Sequence, residues 1–211
     1  FLLSIRRQRQ MCIRDRSYAD DGEITSNDLE LVLEQKKQIV KKSGVLEMIA
    51  LDETMNDIGG LEVLKEWIQN KAKIYKDIDA AKAFGVDMPK GVLIAGIPGC
   101  GKSLSAKATA KLFNAPLLRL DMGRIMGKYV GESEQNMRKA IKIAEDISPC
   151  VLWIDEIEKA FSGVSGGSST GDITNRLLGS FLTWLQEKKS QVFVIMTCLL
   201  YTSPSPRDRT R

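Results

Sequence analysis

The stretch Gly96-Ile97-Pro98-Gly99-Cys100-Gly101-Lys102-Ser103 restricts the fold more than any other part of the chain. It fits the pattern G-x-x-x-x-G-K-[ST] at every fixed position. The apolar run Val92-Leu93-Ile94-Ala95 leads in and predicts a buried strand; Leu104 to Phe113 leads out and predicts a helix. Small residues between strand and helix let successive backbone N–H groups turn inward as an anion nest. The helix that follows adds its positive N-terminus. The candidate phosphate-cradling residues are therefore Pro98, Gly99, Cys100, Gly101, Lys102, Ser103 and Leu104. Lys102 is placed to reach β- and γ-phosphates, and Ser103 to ligate Mg²⁺. A glycine-rich turn that merely joins strand to helix has no need of that lysine and serine.

The two ends read differently from the middle. Met11-Cys12-Ile13-Arg14-Asp15 can be encoded by ATG TGT ATA AGA GAC A, whose reverse complement, in a shifted frame, encodes Cys198-Leu199-Leu200-Tyr201-Thr202. One inverted DNA repeat translated in both directions explains both strings, which resemble a transposon-end adapter. Residues 1–16 and 198–211 are accordingly expected to be non-native. Setting them aside removes eight basic and two acidic residues. The formal charge of +4, from 31 Lys and Arg against 27 Asp and Glu, then becomes −2, from 23 against 25. No electrostatic argument for nucleic acid survives. Only Cys100 and Cys150 remain, without metal-ligand spacing, which fits a reducing compartment. No apolar run is long enough to span a membrane.

Between those ends the chain alternates in period. Ser26 or Asn27 can cap a helix to about Lys42, with Gly44 as its stop. Residues 17–50 are thus expected to be the remnant of an upstream helical region. A calcium loop with Gly22 as its sixth residue is excluded because its first and third positions fall on Ser17 and Ala19, and Ala19 cannot ligate. Leu61, Leu64, Ile68, Ala72 and Tyr75 recur at helical spacing. Strands are predicted at Leu117–Asp121, Val151–Ile154 and Val192–Met196. Helices carry Met137 to Ile147 and Ile173 to Leu185. The expectation is an α/β domain over residues 51–197, with a doubly wound, mostly parallel sheet.

A second chemical element ends the strand Val151–Ile154. Asp155 emerges at its carboxyl end, where open α/β sheets bind ligands, and is a candidate Mg²⁺ ligand. Glu156 is the candidate general base for a water attacking the γ-phosphate. A phosphate loop alone leaves kinases, switches and transporters open; an adjacent acid after four apolar residues narrows it to water activation.

With these motifs the chain resembles the AAA ATPases, a P-loop NTPase family of the AAA+ superfamily. The Walker A motif Gly96–Ser103, the Walker B motif Val151–Glu156 and Asp57-Ile58-Gly59-Gly60 carry the likeness. More finely, Leu117–Asp121, Trp153–Gly163, Phe181–Leu185 and Asp28–Leu46 are similar to the hypothetical chloroplast reading frame (ycf) branch of algal plastids and bacteria. The resemblance implies ATP and Mg²⁺ as cofactors, with Lys102 and Glu156 catalytic. It implies Ile58 and Gly59 in the adenine pocket, and Tyr129 and Val130 on a pore loop that grips a translocating polypeptide. It further implies a homo-oligomeric ring, a hexamer, acting on a protein substrate in the cytoplasm or plastid stroma, without membrane or nucleic acid. A nucleotide-dependent switch or assembly scaffold is the alternative. The family's strand order is 5-1-4-3-2. Here the adapter-like string overwrites the polar sensor after the fourth strand, and the fifth strand, arginine fingers and lid would lie beyond. An arginine finger is worth about 10³–10⁵ in rate, so this chain is expected to bind ATP-Mg²⁺ but hydrolyse it poorly. An exposed first-strand edge is expected to favour aggregation.

Overall fold

The computed structural model describes residues 26–51, 54–125, 132–158 and 169–200. The chain divides into two units, one up to Lys42 and one from Ser43 onward. The first contributes most of helix α1 (Ser26–Ser43), whose last turn carries Lys41 and Lys42. Gly44 follows with φ 69°, the left-handed stop that glycine supplies without steric cost.

The second unit is built on five strands. They are β1 (Leu46–Ile49), β2 (Gly91–Gly96), β3 (Leu117–Asp121), β4 (Cys150–Asp155) and β5 (Val192–Leu199), in spatial order β1-β3-β4-β5-β2. All pairings are parallel except β1 with β3, which is antiparallel from Leu46↔Leu120 to Ile49↔Leu117. The four parallel strands, β2 to β5, reproduce the 1-4-3-2 part of the expected order. Two features differ from the sequence reading. The sheet begins at Leu46, ahead of the boundary drawn at residue 51: four residues are too few to show a period, and their strand is made by β3 beside them. The last strand also runs past Met196 and Thr197 to Cys198 and Leu199, pairing Gly96↔Leu199. Backbone ladders do not read side chains, so the adapter-like residues extend the strand as well as any others.

Strand alternation divides the core. On one face Leu117, Val151, Trp153, Phe193 and Ile195 pack with Ala106 and Ala110 of the helix that follows β2. Helices α2 (Glu62–Lys76) and α3 (Ile78–Ala83) precede β2. Tyr75 of α2 stacks on Phe113, with ring centroids 4.7 Å apart, and meets Phe193 edge-on at 5.9 Å. Its hydroxyl donates to the Pro89 carbonyl, and burial pushes its pKa up. On the other face Leu118, Leu120, Leu152, Ile154 and Val194 are fully buried. Helix α4 (Lys102–Leu112) packs against β2, β4 and β5. After the short α5 (Met122–Ile125), α6 (Glu132–Ile147) packs against β4 and α7 (Ser169–Glu187). Buried Met137, Ala140, Ala144 and Ile147 form the stripe that the spacing predicted.

Gly91 shows how tightly β2 meets β5. A Cβ added there would lie 2.3 Å from the Val194 carbonyl oxygen, so only glycine fits. On its other side β2 has no strand partner among the described residues, and Leu93 is 57% exposed.

Candidate functional site

The site forms where β2, β4 and β5 end on the same side of the sheet. The loop from Gly96 to α4 has Gly99 at φ 80° and Gly101 at φ 85°. These left-handed turns aim backbone N–H groups into the loop's hollow, and other residues adopt them only with strain. A Cβ at Gly96 would lie 2.8 Å from the Cys100 Sγ, so glycine there lets the loop fold over the strand end. Lys102 is the first residue of α4 and is nearly buried. Its Nζ donates to the Gly96 carbonyl at 2.8 Å and the Ile97 carbonyl at 2.6 Å, and lies 3.6 Å from the Cys100 Sγ. The loop's own carbonyls hold the ammonium beside the loop.

Lys102, Ser103, Asp155 and Glu156 line one cleft of about 500 Å³. Pro98, Gly99, Gly101 and Leu104 complete its loop side, and Thr197, Cys198 and Leu199 its β5 side. Cys100 is exposed and outside this lining. Ile58 is buried, with its carbonyl accepting from the Lys65 Nζ, and Gly59 is exposed. The 3-10 turn Met55–Asp57 before them packs against α4, but neither residue lines the cleft. Tyr129 and Val130 lie outside the described residues.

Beyond β4 the chain turns sharply. Glu156 has φ 53°, left-handed backbone in a residue other than glycine. The turn lets the Ile157 N–H donate to the Thr197 carbonyl at 3.0 Å and buries Ile157. Glu158 then accepts from the Leu199 N–H at 3.1 Å, clipping β5 to this turn. Burial and the Glu158 carboxylate push the Cys198 thiol up, so it stays a neutral, weak donor.

Asp155 is held from two sides. Its Oδ2 accepts from the Arg119 Nη2 at 3.0 Å, and its Oδ1 from the Thr197 hydroxyl at 2.8 Å. Thr197 in turn accepts from the Trp153 Nε1 at 3.3 Å. The sequence reading gave neither Arg119 nor Thr197 a role in the site. The signal for Arg119 was present: a charge between Leu118 and Leu120 in a strand otherwise apolar up to its last residue, Asp121. Thr197 carried none, because nothing local shows which carboxylate its hydroxyl meets.

The donor set fits Mg²⁺ held chiefly through a nucleotide. Mg²⁺ keeps several waters and takes one or two protein oxygens with substrate phosphates. The Ser103 hydroxyl and Asp155 carboxylate border the same cleft. No group of three or more His, Cys, Asp or Glu that could cage a metal occurs among the described residues.

The sequence profile of the ATPase family associated with various cellular activities (AAA) matches residues 92–211. The chain is 45% identical over 195 residues to an "Uncharacterized AAA domain-containing protein ycf46" of Pyropia yezoensis, covering 92% of this chain and 39% of that protein. The protein of the same description in Guillardia theta is 46% identical over 175 residues, covering 83% and 34%. Cell division control protein 48 homolog C of Arabidopsis thaliana is 36% identical over 149 residues, covering 70% and 18%. The chain thus spans less than half the length of these relatives. No helix among the described residues is long and apolar enough to cross a membrane.

Proposed function

The chain belongs to the AAA ATPase family, and from that premise we propose that it binds ATP with Mg²⁺ and that its parent protein couples ATP hydrolysis to remodelling or unfolding a protein. The observation that carries this reading is the convergence of Lys102, Ser103, Asp155 and Glu156 on one cleft. The loop nest and Lys102 receive the β- and γ-phosphates. Ser103 and Asp155 would hold Mg²⁺, which would supply positive charge against the phosphates. Glu156 orients the attacking water and takes its proton. Ile58 and Gly59 are proposed for the adenine side, and Tyr129 and Val130 for a pore loop in a homo-oligomeric ring, in the cytoplasm or a plastid stroma. An aromatic side chain offers large contact area to any polypeptide, without sequence selectivity.

Cys198 favours a second reading for this chain. It borders the cleft where the family resemblance expects a polar sensor side chain, and a thiol is a weak donor. The chain therefore binds ATP better than it hydrolyses it, and a nucleotide-dependent switch or scaffold needs no more than binding.

A fluorescent ATP analogue titrated with and without Mg²⁺ tests the shared premise. Lys102→Ala weakens binding at least tenfold; equal affinity of variant and wild type overturns the assignment. In the longer parent protein, Tyr129→Ala separates the two readings. If substrate handling survives it but not Glu156→Gln, threading is wrong and the switch stands.

A further inference from the structure

Arg119 is out of place by ordinary rules. It sits mid-strand in β3, on the face that carries Leu117 and, in register beside it on β4, Trp153, and a charged group on such an apolar face is expected to be paired. Its pairing is incomplete. One guanidinium nitrogen, Nη2, reaches Asp155, while Nε is buried without a hydrogen-bond partner. A forked Arg–carboxylate pair would use both carboxylate oxygens, but Thr197 holds the second. The guanidinium rests instead on the Trp153 ring, with Cζ 5.2 Å from its centroid. An ion pair built only for stability would satisfy its donors. This one is single-pronged, its Arg119 side chain is about a third exposed, and the guanidinium lies on an aromatic face that attracts a cation without fixing its hydrogen bonds.

We propose that Arg119 is a displaceable latch on Asp155, competing with Mg²⁺ for the carboxylate and so setting how much Mg²⁺ nucleotide binding requires. The inference rests on the reading of Asp155 as a metal ligand. A carboxylate oxygen that accepts from a guanidinium gives up charge and lone-pair direction that a cation would use. Mg²⁺ that reaches Asp155 must displace Nη2, and the guanidinium shifts along Trp153. Arg119 is a positioning residue here, since it acts on phosphate chemistry only through Asp155.

The test uses the full chain, methylanthraniloyl-ATP and a Mg²⁺ titration at fixed nucleotide. Arg119→Met keeps a stem against Trp153 and removes the charge. It lowers the Mg²⁺ midpoint about fivefold, the scale of a partly exposed ion pair, and leaves affinity in EDTA within about twofold of wild type. Arg119→Lys restores the charge and moves the midpoint back toward wild type. A purely structural Arg119 predicts a lower melting temperature with an unchanged midpoint, which overturns the latch. A second readout needs no change at Arg119. In a Trp67→Phe, Trp184→Phe background, Trp153 emission shifts when Mg²⁺ and nucleotide are both present and not with nucleotide in EDTA. Constant emission with Mg²⁺-nucleotide bound also overturns it. Absence of nucleotide binding by the wild-type chain refutes the underlying reading instead; binding with an unmoved midpoint refutes the latch alone.

Discussion

The turn at Glu156 makes backbone strain measurable beside function. Its φ of 53° is held because the next residue, Ile157, is buried and bonded to the Thr197 carbonyl. Left-handed backbone costs a residue with a Cβ about 1–2 kcal/mol. Glycine escapes that cost but brings about 0.5–1 kcal/mol of extra unfolded-state entropy. Glu156→Gly should therefore be more stable than Glu156→Gln by about 0.5–1 kcal/mol. At roughly 2–4 °C per kcal/mol for a chain of this size, that is a melting temperature about 1–4 °C higher. Comparing these two variants, rather than either with wild type, removes the carboxylate from both sides. The assay is urea and thermal unfolding followed by circular dichroism at pH 7, without nucleotide. If Glu156 has the proposed role of base, both variants lack it equally, so any difference in their stability is independent of that role. If the glycine variant is no more stable than the glutamine variant, the turn stores no strain and the argument is refuted.

Two further outcomes follow from packing and charge. Gly91→Ala forces a Cβ to 2.3 Å from the Val194 carbonyl, so urea unfolding should show a loss of about 3 kcal/mol; a loss under about 1 kcal/mol would mean β2 can move away from β5. Lys188 bonds the Val192 carbonyl; burial first, and the Lys90 charge second, lower its pKa to about 8. The ordinary value is 10.5, so between the two the unfolded chain binds more protons and stability rises with pH. Lys188→Met should flatten that rise and raise the melting temperature at pH 7 by about 2–4 °C. An unchanged pH profile would show that the ammonium is solvated.

The two chemical motifs were legible because each is local. Gly99 and Gly101 take conformations that glycine favours, and Asp155 ends, and Glu156 follows, a strand whose apolar run stops visibly in the residues themselves. Helices with a clear apolar stripe, such as α6, were equally readable. β1 was not: Leu46–Ile49 has no period of its own and becomes a strand only by pairing with β3. The end of β5 was misplaced for the same reason, since its last residues are paired by β2 whatever their side chains.

What the sequence determined alone is the set of groups on offer: a glycine-rich loop, a lysine, a hydroxyl and two acids at fixed offsets, in an alternating α/β order. Local sterics and hydrogen bonding write those features over a few residues. What only the tertiary structure decided is how they are held. Arg119 and Thr197 stand 36 and 42 residues from Asp155 along the chain and yet take its two oxygens. Parallel strands joined through helices set side chains beside one another by register, and register between distant strands has no local sequence signal.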